Sequence, residues 1–232
     1  MSGHSKWTQI KRKKGAADVK RGALFSKLAK QLTVAARQEK NLDMVVAAAR
    51  AANMPKDNIE RAIKKGTGEL GDGAQIEDVL YEAYGPGGAA ILIETLTDNR
   101  NRTVNELRAV LNKWGGSLGQ SGAVQFLFDR RGVVEVAAGT DPEATQLGLI
   151  EAGVEDVALE EDRVVGYVAP AKLGAVSRAV EASTLTALDT RLAWLPKALY
   201  PVDEVAETKL LKLLEAIDEL EDVSSVETNA EL

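Results

Sequence analysis

The sequence predicts an α+β fold: an N-terminal three-helix domain followed by two ferredoxin-like α/β domains, the third inserted in the second. Three observations carry this. Up to Gly66 the apolar residues recur at helical spacing, and a glycine-rich stretch then separates them from strand-like runs. From Val133 to Leu192 the element order reads βαββαβ, the ferredoxin-like order. The chain closes on an αβ unit with no partner nearby in sequence, while residues 75–129 hold a strand–helix–strand unit that lacks one. At 232 residues and 45% apolar composition, the chain is long enough for two or three small domains with real cores.

The first domain spans residues 1–70. Met1 to Ala17 has no apolar periodicity, two glycines and the cluster KRKK, so it reads as a flexible arm whose order depends on a partner. From Asp18 to Gln38, Leu24, Phe25, Leu28, Leu32, Ala35 and Ala36 fall on one side of a helix. Lys20, Lys27, Lys30 and Arg37 fall on the other, which predicts one packed face and one positive face. A second helix, Leu42 to Ala52, repeats the pattern with Leu42, Val45, Val46 and Ala49. A third opens at Pro55, buries Ile59, Ala62 and Ile63, and stops at Gly66 with Lys64 and Lys65 in its last turn. GTGELGDGA, residues 66–74, carries four glycines in nine residues and marks a linker.

The middle domain is expected at 75–130 plus 197–232. Val79 to Tyr84 and Ala89 to Thr97 form a hairpin around Gly85-Pro86-Gly87-Gly88. Asn101 to Lys113 is a helix with Val104, Leu107, Leu111 and Trp114 on one stripe, and Val124 to Phe128 the next strand. After a turn at Asp129-Arg130-Arg131, the inserted domain, 131–196, runs through strands and helices at 133–137, 142–152, 154–159, 164–168, 171–182 and 185–192. The tail, helix 202–220 (Leu210, Leu213, Leu214, Ile217) and strand 223–227, would complete the middle domain.

Charge points to the kind of partner. Through Lys40 there are eight Lys and three Arg against Asp18 and Glu39, a net +9. The whole chain is −6, so residues 41–232 carry −15. Such segregation points to a polyanionic partner, because solubility alone needs no separation of sign. Trp7, between basic residues, is placed to stack on an exposed base while Lys6, Lys11, Arg12, Lys13, Lys14, Lys20 and Arg21 neutralise phosphates, with Lys27, Lys30 and Arg37 extending the surface. Lys64 and Lys65 are secondary candidates. Arg100 and Arg102 in TDNRNRT sit where a strand hands over to a helix. There they either converge on a phosphate with the first-turn amides or pair with acidic neighbours while Asp98 or Asn99 caps the helix.

Other chemistry finds little support. Zero cysteines remove thiolate metal sites and thiol nucleophiles, and fit a reducing cytoplasm. The lone histidine, His4, lies in the arm, so no triad or multi-histidine metal site can be assembled. GYGPGGAA and GGSLGQSG lack the Walker and GxGxxG contexts and read as turns and caps. The acidic groups Glu160-Glu161-Asp162 and Glu219, Glu221, Asp222 sit in predicted turns and read as solvated surface rather than metal or general-acid sites. No run reaches the roughly 18 apolar residues of a membrane span. No catalytic residue, metal, cofactor or membrane partner is therefore expected.

Four blocks carry a family resemblance: MSGHSKWTQIKRKKGAADVKRGALFSKL, ANMPKDNIERAIKKGTGE, YEAYGPGGAAILIETLTDNRNRTVNELR and GGSLGQSGAVQFLFDRRG. Together they resemble the YebC/PmpR family, which includes the mitochondrial translational activator of cytochrome c oxidase subunit one. The match covers residues 1 to about 135, and beyond it the likeness is one of element order. The resemblance implies a three-domain cytoplasmic protein and two functions that do not reduce to each other. One is transcriptional regulation by binding promoter DNA. The other is a ribosome-associated factor that binds ribosomal RNA and relieves stalling, for example at proline runs. The expectation is thus a non-enzymatic nucleic-acid-binding regulator of gene expression, a DNA-binding transcriptional regulatory protein first and a translation factor as the alternative. A metal-dependent nuclease using Glu160, Glu161 and Asp162, and a protein-interaction scaffold built on the acidic domains, are the competing classes.

Overall fold

The computed structural model of the chain describes residues 21–39, 41–71 and 75–232. Its first helices are α1 (Arg21–Gln38), α2 (Leu42–Ala51) and α3 (Lys56–Gly66). They share a core of Leu28, Leu32, Ala49, Met54, Ile59 and Ala62. The chain reverses through Asn41 and Asn53, both at positive φ, a conformation asparagine tolerates better than most residues. Pro55 precedes α3, where its fixed φ suits the helix entrance and its missing N–H leaves no donor unsatisfied.

Helix α1 is not amphipathic in the expected way. Leu32, Thr33, Val34, Ala35 and Ala36 are buried in succession, all the way round the helix. Gly66 lets α3 approach it closely, since a Cβ there would meet Thr33 O at 2.3 Å and Ala36 Cβ at 2.7 Å. The hydroxyl of Thr33 donates to Ala29 O and Ala62 O, tying the two helices together.

The chain continues through β1 (Glu77–Tyr84), β2 (Ala90–Thr97), α4 (Arg100–Trp114) and β3 (Ser117–Leu118). Next come β4 (Phe128–Ala137), α5 (Pro142–Glu151), β5 (Asp156–Glu160), β6 (Arg163–Val168), α6 (Leu173–Glu181) and β7 (Ala187–Pro196). The chain ends with β8 (Tyr200–Pro201), α7 (Glu204–Asp218), β9 (Val223–Thr228) and β10 (Ala230–Glu231). Among the described residues the sheets are β3-β1-β2-β9, β5-β6-β4-β7 and the small pair β10-β8. The second is the ferredoxin-like order of a βαββαβ segment.

Two compact units result. One is Asp129–Leu195, and the other joins the described residues up to Phe128 with Pro196–Leu232. In the latter, β9 pairs antiparallel with β2, from Ile91 opposite Thr228 to Thr95 opposite Val223. Helix α7 places Leu210, Leu213, Leu214 and Ile217 against Ile91, Ile93, Leu107 and Leu111. The C-terminal αβ unit therefore belongs to the sheet begun at residue 77. β2, buried on both sides, is the sheet's centre.

One expected boundary is corrected. Val124–Phe128 is not a strand, and Asp129-Arg130-Arg131 is not a turn. Residues Gln125–Leu127 form a 3-10 turn and β4 runs unbroken from Phe128 to Ala137. The physical reason is Glu82, a buried carboxylate on β1. It accepts the amides of Gly122 (2.5 Å), Val124 (2.6 Å) and Gln125 (2.8 Å), which pulls this backbone out of an extended ladder. Burial alone would raise the Glu82 pKa, but these donors outweigh it and hold it below the ordinary value.

Candidate nucleic-acid interface

Two positive residues of α1, Lys27 and Lys30, are engaged with the molecule's own acidic corner. That corner is formed by the C-terminal end of α7 and the turn that leads into β9, residues 218–222. Lys27 Nζ donates to Asp218 O, a carbonyl at the end of a helix where no intrahelical amide reaches. Lys30 Nζ lies 2.7 Å from Asp222 Oδ1 and 3.1 Å from Glu221 Oε1. Its side chain retains 18% exposure, and that of Asp222 only 1%.

Asp222 gathers more donors from the strand-to-helix junction. Arg102 Nη2 donates to both carboxylate oxygens, at 3.0 and 2.8 Å, and to Asp98 at 2.9 Å. The hydroxyls of Thr97 and Thr103 donate to Oδ2 at 3.1 and 2.8 Å. Burial pushes the Asp222 carboxyl up. The hydrogen bonds from Lys30, Arg102 and Thr103, with the charge of Lys30, overcome that and hold its pKa at about 2. Lys30 shows the reciprocal effect: burial lowers its pKa, and Asp222 and Glu221 more than restore it, for a net rise. For Arg102 the hydrogen bond and charge of Asp222 lead, and the pKa rises.

The reading of Glu219, Glu221 and Asp222 as solvated surface is therefore corrected for Asp222, a buried acceptor that joins the helical bundle to the middle sheet. In TDNRNRT the cap and the carboxylate partners are both present. Asn99 caps α4 by accepting from Arg102 N at 3.1 Å, and Arg100 Nε donates to Glu77 Oε2 at 2.6 Å. Both arginines pair with carboxylates.

Of the other expected contact residues, Arg37 is exposed and donates to Ile76 O at 3.3 Å. Lys64 and Lys65 are exposed in the last turn of α3, where cations suit the negative end of the helix dipole. Arg61, which the sequence reading passed over, is exposed on the same side at i−3 and i−4 from them. The signal was available in the helical spacing of 61, 64 and 65. Lys6, Trp7, Lys11, Arg12, Lys13, Lys14 and Lys20 lie outside the described residues, as does the side chain of Arg21.

The acidic turn weighed as a nuclease site joins β5 to β6, with Glu161 at positive φ and Asp162 beside Arg163 at 3.2 Å. Among the described residues, no group of three His, Cys, Asp or Glu side chains is arranged to hold a metal ion. No helix there is long and apolar enough to cross a membrane.

Two family models match consecutive stretches of the chain. Residues 5–69 match the model of the TACO1/YebC protein N-terminal domain, and residues 76–230 match the TACO1/YebC second and third domain. A probable transcriptional regulatory protein of Desulfosudis oleivorans is 44% identical over 240 residues, covering 100% of this chain and 97% of the relative. A protein of the same description from Geobacter sulfurreducens is 42% identical over 239 residues, covering 100% and 96%. The crystal structure of a conserved hypothetical protein from Aquifex aeolicus superposes with a TM-score of 0.86 at 42% identity, covering 92% of this chain and 91% of that one. With both family models together matching nearly its whole length, this chain belongs to the TACO1/YebC family.

Proposed function

We propose that the protein is a non-enzymatic nucleic-acid-binding regulator of gene expression, acting as a DNA-binding transcriptional regulatory protein in the cytoplasm. One observation carries the reading: residues 1–40 hold +9 while the remainder holds −15. The main phosphate contacts would be Lys6, Lys11, Arg12, Lys13, Lys14, Lys20 and Arg21, with Lys27, Lys30, Arg100 and Arg102, which also have internal acceptors, as further contacts. Trp7 would stack beside them, and the exposed Arg37, Arg61, Lys64 and Lys65 would flank them. The names of the relatives support a regulator.

The test is a binding titration on promoter-type duplex DNA at 50 and 200 mM salt. Engagement of six to ten phosphates should cost about 10³- to 10⁵-fold in affinity across that range. A flat salt response would sink the arm model, and full binding after removal of residues 1–15 would shift the contact to the acidic domains and favour a scaffold.

A ribosome-associated translation factor binding ribosomal RNA is the second reading. It is favoured by the same segregation, since an acidic body with one basic arm suits insertion into structured RNA. Crosslinking in lysate separates the two: recovery of ribosomal RNA without promoter DNA would put translation first.

A further inference from the structure

A groove of about 840 Å³ lies between the C-terminal end of α4 and the outer side of α7. It is an open depression on the surface rather than an enclosed cavity, which suits an extended strand. Its floor is Trp114, half-buried and packed against the middle domain's core. Lys113 Nζ is 5.5 Å from the centre of the indole ring and Lys212 Nζ 5.8 Å, both within cation–π range. Lys209 and Asn112 also line the groove, and Glu204 is its only carboxylate.

The charge of this place is unlike that of its surroundings. Three lysines face one glutamate on a part of the chain, residues 41–232, that carries −15 overall. Other cations of the same unit, Lys30, Arg100 and Arg102, are paired with carboxylates. No carboxylate lies within ion-pair distance of Lys113, Lys209 or Lys212 among the described residues. An indole with lysine side chains beside it is an arrangement on which a base can stack while the ammonium groups reach the flanking phosphates. The exposed Asn112 amide can donate to and accept from a base edge.

We propose that this groove is a second nucleic-acid contact, for a short single-stranded segment stacked on Trp114 and held through Lys113, Lys209 and Lys212. The site rests on the nucleic-acid reading above but is independent of the N-terminal arm. It would let the protein hold a strand at two points, by charge at the arm and by stacking at the groove.

The test uses the full chain with Trp7→Phe and Trp194→Phe, which leaves Trp114 as the one indole of the three. Decamers of uridylate and of thymidylate are titrated at several salt concentrations, following emission and fluorescence anisotropy of the labelled strand. Saturable quenching of Trp114 is expected. Lys209→Ala with Lys212→Ala, which leaves the core indole in place, should weaken binding about tenfold. It should also reduce the slope of log affinity against log salt by about 1.4, or 0.7 per lost phosphate contact. A stronger effect with uridylate would mark RNA as the source of the strand, and with thymidylate, DNA. Binding with unmoved Trp114 emission and unchanged affinity in the double variant would overturn the groove while leaving the arm intact. Equal displacement by polyglutamate would overturn stacking. Absence of binding by the unsubstituted chain, followed by anisotropy of the labelled strand, would overturn both the groove and the reading beneath it.

Discussion

Asp222 is the residue on which the helical bundle and the middle sheet meet. One buried carboxylate takes five hydrogen bonds, from Lys30, Arg102, Thr97 and Thr103. Removing a partner from such a cluster is costly because the remaining charges stay behind without compensation. Asp222→Ala should lower unfolding stability by about 3 kcal/mol or more, read by urea denaturation. A loss under about 1 kcal/mol would show that Lys30 and Arg102 find water or other acceptors instead. The pH dependence has a definite sign. A folded pKa of about 2 against the ordinary 3.8 means that the unfolded state binds the proton more readily. The contribution of Asp222 is thus fully present above about pH 4 and is lost as pH falls through about 2. Asp222→Asn should flatten the stability curve in that window, and an unchanged acid limb would count against the assignment. Glu82 offers a second check: in Glu82→Gln, exchange of the amides of Gly122, Val124 and Gln125 should accelerate, because a neutral amide oxygen accepts more weakly than a carboxylate.

Helix α1 is packed on more than one side, and its contact with α3 depends on Gly66. With Thr33 O at 2.3 Å from the position of an added Cβ, and that neighbour being backbone, Gly66→Ala must push the helices apart. The expected loss is about 1–3 kcal/mol, measured as a shift in the urea midpoint at constant m-value. No change in midpoint would mean that the helix pair slides without cost. The spacing of Leu24, Leu28 and Leu32 made this helix legible in the sequence, and Pro55 and Gly66 made the limits of α3 legible. The far side of α1 was not legible, because Lys27 and Lys30 look like solvated cations until a carboxylate and a helix end more than 190 residues away are brought to them.

The whole molecule is two units, with Asp129–Leu195 set into the chain of the other. Lys197 N donates to Leu127 O at 2.9 Å, so the segment leaves and rejoins at adjacent points. Replacing residues 130–195 with a short glycine linker should therefore leave a soluble protein with a single cooperative unfolding transition, since few closure constraints change. Aggregation of that variant, with loss of helical circular dichroism, would show that the units fold only together. Deleting residues 221–232 should have the opposite effect, because it removes β9 from the sheet and Val223 and Val226 from the core.

Local signals were enough for most helices and strands of the described residues and for the βαββαβ insert, though not for residues 124–131, because apolar period and glycine content act over a few residues. They even placed the C-terminal αβ unit, since an unfinished sheet leaves an edge and an apolar face that need covering. The fate of individual charges was another matter. That Lys30 and Arg102 lie against Asp222, and that the amides of residues 122–125 enclose Glu82 rather than join a strand, depends on which carboxylate the fold carries to them. Only the tertiary structure decided that, because the energy of a buried ion pair or hydrogen bond exists only once distant segments have excluded the water between them.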